Sequence, residues 1–349
     1  MVFFSRKIEN HVSALFAKAR AHDMAVVCEH LRKDGYPLRI GVACDQFQFA
    51  WPLRGLSASS GHLTIGTPTY APHLLEFNVH SPASIVISGK TPIVSHWRNL
   101  AIETEPYQRM SKTFKLMVEG LEISTMTSSL EDQNRQGKFE TQIKNKGIMQ
   151  KSVGNQESSE DALNVTVPSL DSVSSKMTAE FLRFDLKQEE NHLSGRLTFD
   201  DLDPSMFFSP YLIDFPKVDG HLKWTFDDVS HLLKNRGGSW KQHLYGKSGV
   251  LKSGELAFHT GGVLRASGPF SFDDKGYLTA KFELIVVKHM ELLTTMQRLF
   301  PEQANNLQAL FFVVGAMPKN ADGFPVVILH ISHGWMKLGF LKLGRLAPL

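Results

Sequence analysis

Cys28-Glu-His-Leu-Arg-Lys-Asp-Gly-Tyr-Pro-Leu-Arg-Ile-Gly-Val-Ala-Cys44-Asp-Gln-Phe-Gln-Phe-Ala-Trp51 holds the only two cysteines in 349 residues. Asp34-Gly35 and Tyr36-Pro37 signal a turn, with apolar stretches at 24–27 and 38–42 on either side, so the chain doubles back and brings the sulfurs together. A Cys28–Cys44 disulfide closing this loop contributes roughly 3 kcal/mol in the chain-entropy model; two ordinary buried thiols are the alternative. An isolated pair around a turn is what an oxidising compartment leaves behind. Beyond the turn, Leu38, Ile40, Val42 and Cys44 keep one parity while Phe47, Phe49 and Trp51 take the other. The sheet therefore either bulges near Asp45 or is apolar on both faces. Two apolar faces suit a curved sheet with a greasy concavity, and a bulge suits an ordinary sandwich core.

Outward from this stretch the dominant period stays at two. Short alternating or β-branched runs at 59–65, 74–79, 84–88, 114–124 and 138–144 are broken by Pro or Gly. A polar tract at 150–161 reads as a loop or linker, either a long hairpin insertion within one sheet or a boundary. Strands resume at 163–167 and 177–186, and the pair 264–272 and 277–284 forms a hairpin across Asp273-Asp274-Lys275-Gly276. Two helical pieces at 289–300 and 304–314 are separated by Pro301, and strands at 325–332 and 335–343 finish the chain. The expected fold is mainly β with a few helices (α+β), a long curved antiparallel sheet or half-barrel over 24–349. An N-terminal amphipathic helix precedes it, with Ile8, Val12, Leu15, Phe16 and Ala19 on one face. Met1-Val-Phe-Phe4 ahead of Ser5-Arg6-Lys7 has its charges on the wrong side for a signal, so residues 1–23 are expected to follow a membrane anchor missing upstream.

Composition excludes several classes. Thirty-eight basic and 35 acidic residues give a net charge of +3, dispersed along the chain with no basic stripe, so nucleic acid is not an expected partner. The longest apolar run, 307–317, falls short of the roughly 20 residues of a spanning helix.

Catalytic signatures are missing too. Gly246-Lys247-Ser248 echoes a phosphate loop, but Lys241 stands where that loop needs glycine and strand-like residues follow. His330 and His333 on one strand point to opposite faces, which argues against joint metal ligation. Phe-Asp-Asp recurs at 199–201, 226–228 and 272–274; paired carboxylates suit hydrolysis or a hard cation, but their context reads as caps and turns, with Asp227 or Asp228 capping a helix over 229–235. No catalytic residue, metal site or cofactor is expected, and the chain is read as a non-enzyme.

Cys28, the run Gly35-Tyr-Pro-Leu-Arg-Ile40, Cys44-Asp45 and the terminal Leu338-Gly-Phe-Leu-Lys-Leu-Gly-Arg-Leu-Ala-Pro-Leu349 resemble a bacterial family catalogued as domain of unknown function 2125, over nearly the whole chain. The resemblance implies a single membrane-spanning segment with the body exposed to the periplasm, tethered to the inner membrane. Gly261-Gly-Val-Leu-Arg-Ala-Ser-Gly-Pro-Phe-Ser-Phe-Asp-Asp-Lys-Gly276 resembles AsmA-like envelope proteins more loosely, implying a long curved sheet with an apolar trough for acyl chains. Neither resemblance carries catalytic residues. Two functions then compete. In one, a lipid or other amphiphile is bound or moved in an apolar sheet groove with Phe47, Phe49 and Trp51 among its lining; in the other, the body is a periplasmic scaffold for protein–protein interaction in envelope assembly.

Overall fold

The computed structural model describes residues 24–35, 37–105, 111–125, 176–189, 191–208, 214–227, 243–339 and 341–349. The helix expected within 1–23, the polar tract at 150–161, the strands at 138–144 and 163–167 and the helix at 229–235 lie outside the described residues. The rest is mainly β, one long curved antiparallel sheet that is not closed into a barrel, with few helices.

Alternation of apolar and polar residues builds the strands, and the first ten come as five interrupted pairs. These are β1 (Ala25–Glu29) with β2 (Arg32–Asp34), β3 (Arg39–Cys44) with β4 (Gln46–Trp51), β5 (Leu56–Ser60) with β6 (Leu63–Pro68), β7 (Leu75–Val79) with β8 (Ala83–Ile87), and β9 (Ile93–His96) with β10 (Asn99–Thr104). Each pair behaves as one strand broken at its middle. One set of halves pairs in the order β1-β4-β5-β8-β9, the other in the order β2-β3-β6-β7-β10. β11 (Ser111–Thr125) runs unbroken beside both arms: Leu100 faces Val118 on one, Ser95 faces Ile123 on the other. Gly120 lies between them at φ +60°, a conformation that glycine adopts without strain. The meander continues without crossovers through β12 (Lys176–Glu189), β13 (His192–Leu202), β14 (Val218–Phe226), β15 (Ser248–Phe258), β16 (Val263–Phe272), β17 (Leu278–Val287), β18 (Val326–Ser332), β19 (Trp335–Leu338) and β20 (Leu341–Arg345).

The disulfide sits at the break in the first hairpin. Cys28 on β1 pairs with Phe47, while Arg32 on β2 pairs with Ala43, so one register runs through both halves. In a flat ribbon that register sets Cys44 beside Leu31, three residues from Cys28, roughly 10 Å along the strand. The observed Cα–Cα distance is 5.4 Å, with the two sulfurs bonded. The ribbon is therefore folded sharply at Glu29–Leu31 and Asp45. Outside the fold, Asp45 accepts from Arg32 Nη1 at 2.8 Å and lies 3.2 Å from His30 Nδ1.

This geometry settles the parity question. Cys28 shares a face with its ladder partner Phe47, and its sulfur meets that of Cys44, so the odd-numbered apolar side of β4 and the even-numbered apolar side of β3 are one side. Both strands change face together here with no shift of register, so the interruption at Asp45 is a sharp bend of the ribbon and not a bulge. The same change of parity recurs further along: Val118 and Leu121 of β11 pack with Ala179 and Leu182 of β12 in one buried cluster.

Helices α1 (His289–Leu299) and α2 (Ala304–Gly315) form, as expected, on either side of Pro301. They are inserted between β17 and β18, which remain ladder neighbours. Leu292, Leu293, Phe311 and Val314 pack onto Phe199, Val218, Phe258, Val286 and Val327 of the sheet. Thr295, only 1% exposed, donates Oγ1 to the Gly261 carbonyl at 3.1 Å and so pins α1 to the β15–β16 turn.

Three expectations need correction. The run 59–65 is two strands, because the line of interruptions passes through Gly61 and His62. The run 335–343 is the hairpin of β19 and β20, turning at Gly339 with φ +59°. His333 lies past the end of β18, in the turn, where its Nδ1 is 2.9 Å from Asp273 Oδ2.

Replacing both cysteines by serine is expected to lower unfolding free energy by about 3 kcal/mol, read as a fall in urea midpoint. A loss within error would mean that the fold at Asp45 holds without its staple.

Candidate functional site

Directly paired residues of an antiparallel ladder share a face, so the register lists what each face carries. One row joins Leu116, Phe184, Leu197, Leu222, Gly254, Ala266, Leu284 and Val327 across eight strands. Flanking rows add Phe114, Leu186, Gly195, Trp224 and Leu251 on one side, and Val118, Leu182, Phe199, Gly220, Leu256, Leu264 and Val286 on the other. The opposite face carries Lys115, Asp185, Arg196 and Lys223 in ladder contact. There Lys115 pairs with Glu103 at 2.9 Å and Arg265 with Glu255 at 2.6 Å, which are exposed pairs of small energetic weight. The sheet is amphipathic from β11 to β18.

Burial varies across the apolar face. One margin is buried: Phe199, Val286 and Val327 lie beneath the helical hairpin. The other margin is buried too, with Phe226, Ala280 and Ile331 under 10% exposed and the Phe226, Phe270 and Phe272 rings in edge contact at 5.2 and 6.0 Å. Between the margins, Phe114, Phe184, Leu197, Leu222, Trp224 and Leu284 are only half-buried. The arrangement is a strip of hydrocarbon bordered by two dry edges. Seven inter-strand spacings make it about 34 Å long.

Aromatic rings lie along this strip because glycine makes room for them. A Cβ on Gly195 would sit 2.2 Å from Cε2 and Cζ2 of Trp224, so the indole rests flat on the neighbouring backbone. Phe184 stands 6.2 Å from that ring and Phe114 6.3 Å from Phe184, centroid to centroid. Gly195→Ala is expected to drive the indole off its seat and destabilise by about 1–3 kcal/mol, seen as a lower urea midpoint together with a changed tryptophan emission maximum. An unchanged spectrum would show that the ring does not depend on Gly195.

Phe47, Phe49 and Trp51 lie at the far end of the same sheet. They share one face of β4, opposite Ser60, Ala58 and Leu56, and are half-buried. Phe47 faces Cys28 and Phe49 faces Val26. They line the arm that the disulfide closes and do not belong to the β11–β18 strip. The strip's own residues were visible in the sequence as alternation, for example Leu182, Phe184 and Leu186 against Arg183, Asp185 and Lys187.

The Phe-Asp-Asp segments are structural where described. Asp273 Oδ1 accepts from the backbone N–H of Lys275 and Tyr277, both at 2.9 Å, and closes the expected hairpin turn. His333, with the Tyr277 N–H behind it, holds that carboxyl below the usual range. Asp201 occupies a bulge in β13 at φ +54°, where its N–H donates to Asp219 Oδ1 at 2.7 Å. That backbone bond, opposed by partial burial and helped by His259, holds the Asp219 carboxyl below its usual value. A carboxyl depressed in the folded state adds stability that is present above its unfolded pKa of about 4 and lost as pH falls through the folded value. Asp227 follows the end of β14, with Oδ1 3.1 Å from His192 Nδ1. Urea titrations from neutral pH downward are expected to show Asp219→Asn losing stability less steeply than the parent below about pH 4; parallel curves would remove this carboxylate from the acid limb.

No helix among the described residues is long and apolar enough to cross a membrane. No curated protein and no solved structure matches the chain, and the looser likeness to AsmA-like proteins is not confirmed. A family model does match, over residues 2–145 and 157–347, which is nearly everything from the cysteine hairpin to the C-terminal strands. The chain belongs to the bacterial family described as "Uncharacterized protein conserved in bacteria (DUF2125)".

Proposed function

We propose that this protein binds, and helps to move, a lipid or other amphiphile on the apolar face of its sheet. The observation that carries the reading is the half-buried strip from β11 to β18, hydrocarbon-lined between two buried margins. Large apolar surface left half open on a folded chain marks an interaction site. Its length of about 34 Å is roughly twice the depth of one bilayer leaflet, whose two leaflets together make a hydrocarbon core of about 30 Å. Burial returns about 0.8 kcal/mol per CH2, so half-covering a sixteen-carbon chain contributes about 5–6 kcal/mol before ordering is charged against it. Binding of this kind uses no catalytic group, and the protein is read as a non-enzyme.

The staple supports a reading of the address. A disulfide in a bacterial protein favours an oxidising compartment, and with the tether implied by the family resemblance we read the body as periplasmic and held at the inner membrane. The scaffold reading draws its support from the open sheet, whose outer strands β1 and β20 each have one ladder neighbour among the described residues and so offer an edge for β-augmentation.

Mass spectrometry of gently extracted protein is expected to find co-purifying lipid, and the delipidated protein to take up a fluorescent fatty acid. Leu197→Glu and Leu222→Glu should each weaken that uptake at least about tenfold with the far-ultraviolet spectrum retained, while Lys223→Ala on the other face leaves it alone. Neither lipid nor uptake would sink the amphiphile reading and leave the scaffold. Thiol titration of protein acid-trapped in cells is expected to find no free cysteine; two free thiols would undo the periplasmic address.

A further inference from the structure

Across the three rows from β11 to β18 the side chains are hydrocarbon, with one exception among the described residues: the indole Nε1 of Trp224. That N–H has no acceptor among the described residues, although the side chain is half-buried. It is not one of the buried side-chain atoms left without a partner, so the donor is open on the strip and accessible to a bound molecule. Trp97 shows the other case, donating Nε1 to the Val79 carbonyl at 2.7 Å. Trp224 is also held still, since its ring lies against the backbone of Gly195 on one side and beside Phe184 on the other. A fixed donor on an otherwise apolar strip gives a bound chain its single polar point of reference.

We infer that Trp224 sets the position and polarity of the bound amphiphile by donating its indole N–H to a carbonyl or carboxylate oxygen at the head of an acyl chain. The inference rests on the amphiphile reading and adds a specificity to it. The strip selects for hydrocarbon by burial, and Trp224 selects among hydrocarbons for those that begin in an acyl oxygen. Trp224 occupies one of the rows that flank the middle of the strip, so a chain whose head is fixed there extends along the strip over Phe184 and Leu222 or over Leu251 and Ala266. The ligand class is a free fatty acid or an acyl ester, which share that oxygen.

Binding of three probes to delipidated protein tests this: palmitate, methyl palmitate and the uncharged fluorophore N-phenylnaphthylamine, which has no acyl oxygen. Trp224→Phe keeps an aromatic ring on the strip and removes the donor. It is expected to weaken palmitate, methyl palmitate or both by about tenfold while uptake of the fluorophore changes less than about twofold; the probe that responds assigns the head as acid or ester. Equal losses for all three, or none for either acyl probe, overturn the inference and leave the amphiphile reading in place. No uptake of any probe by the parent protein overturns both. An independent readout needs no stability argument: the part of the emission lost in Trp224→Phe should be quenched more by a fatty acid brominated beside its carboxyl group than by one brominated at its methyl end. Equal or reversed quenching overturns the inference.

Discussion

Register is the constraint on which this molecule depends. A side chain in a strand changes face with every residue, so a slip of one position would turn Leu197, Leu222 and Leu284 outward and draw Arg196 and Lys223 in. The sheet guards against slippage with position-specific packing. Trp224 fits only where Gly195 lies opposite, and Phe199 fits where Gly220 lies opposite. At Asp45 and at Gly120 parity changes beside the line along which neighbouring strands are interrupted, and in β15 it changes at the register shift between Leu251 and Gly254, so the apolar side stays continuous.

At the N-terminal end the fold is held covalently, at the other by packing. Cys28–Cys44 fastens the two arms where the first hairpin bends, with Phe47 the ladder partner of Cys28. At β13–β18 the helical hairpin does the equivalent work, with Leu292, Leu293 and Phe311 seated on one margin of the sheet. Between the two lies the strip, covered only in part: Leu197 and Val327 pack with the helical cluster, while Phe184, Leu222 and Trp224 stay half-buried. A small core at each end and a broad half-dry middle is a poor way to maximise stability, which is why we attribute the middle to function.

Local signals carried much of this. Alternation marked β11, β12, β16, β17 and β18, the Pro301 break separated the helices, and Asp273-Asp274-Lys275-Gly276 closed its hairpin. Reading 59–65 and 335–343 as single strands failed because Gly61-His62 and Gly339 interrupt pairing without interrupting hydrophobic pattern. Phe47, Phe49 and Trp51 stood out because they are aromatic and adjacent. The strip did not, since its rows join residues as far apart as Leu116 and Val327, and only the ladder brings them onto one face. Trp224 falls in the alternation Leu222, Trp224, Phe226 against Lys223 and Thr225, but nothing local marks its seat, which belongs to a strand about thirty residues earlier.

The order of strands has a consequence for how such a chain is made. Each of the five interrupted pairs lies against the pair synthesised just before it, and from β11 each strand does the same; the helices are inserted without displacing β18 from β17, and the two cysteines fall within the first hairpin. A polypeptide emerging with its N-terminus first can therefore close its sheet progressively, setting the covalent staple before most of the sequence exists and adding one ribbon at a time against a finished edge. What moves through that process is one advancing border, since the opposite border at β1 is set with the first ribbon.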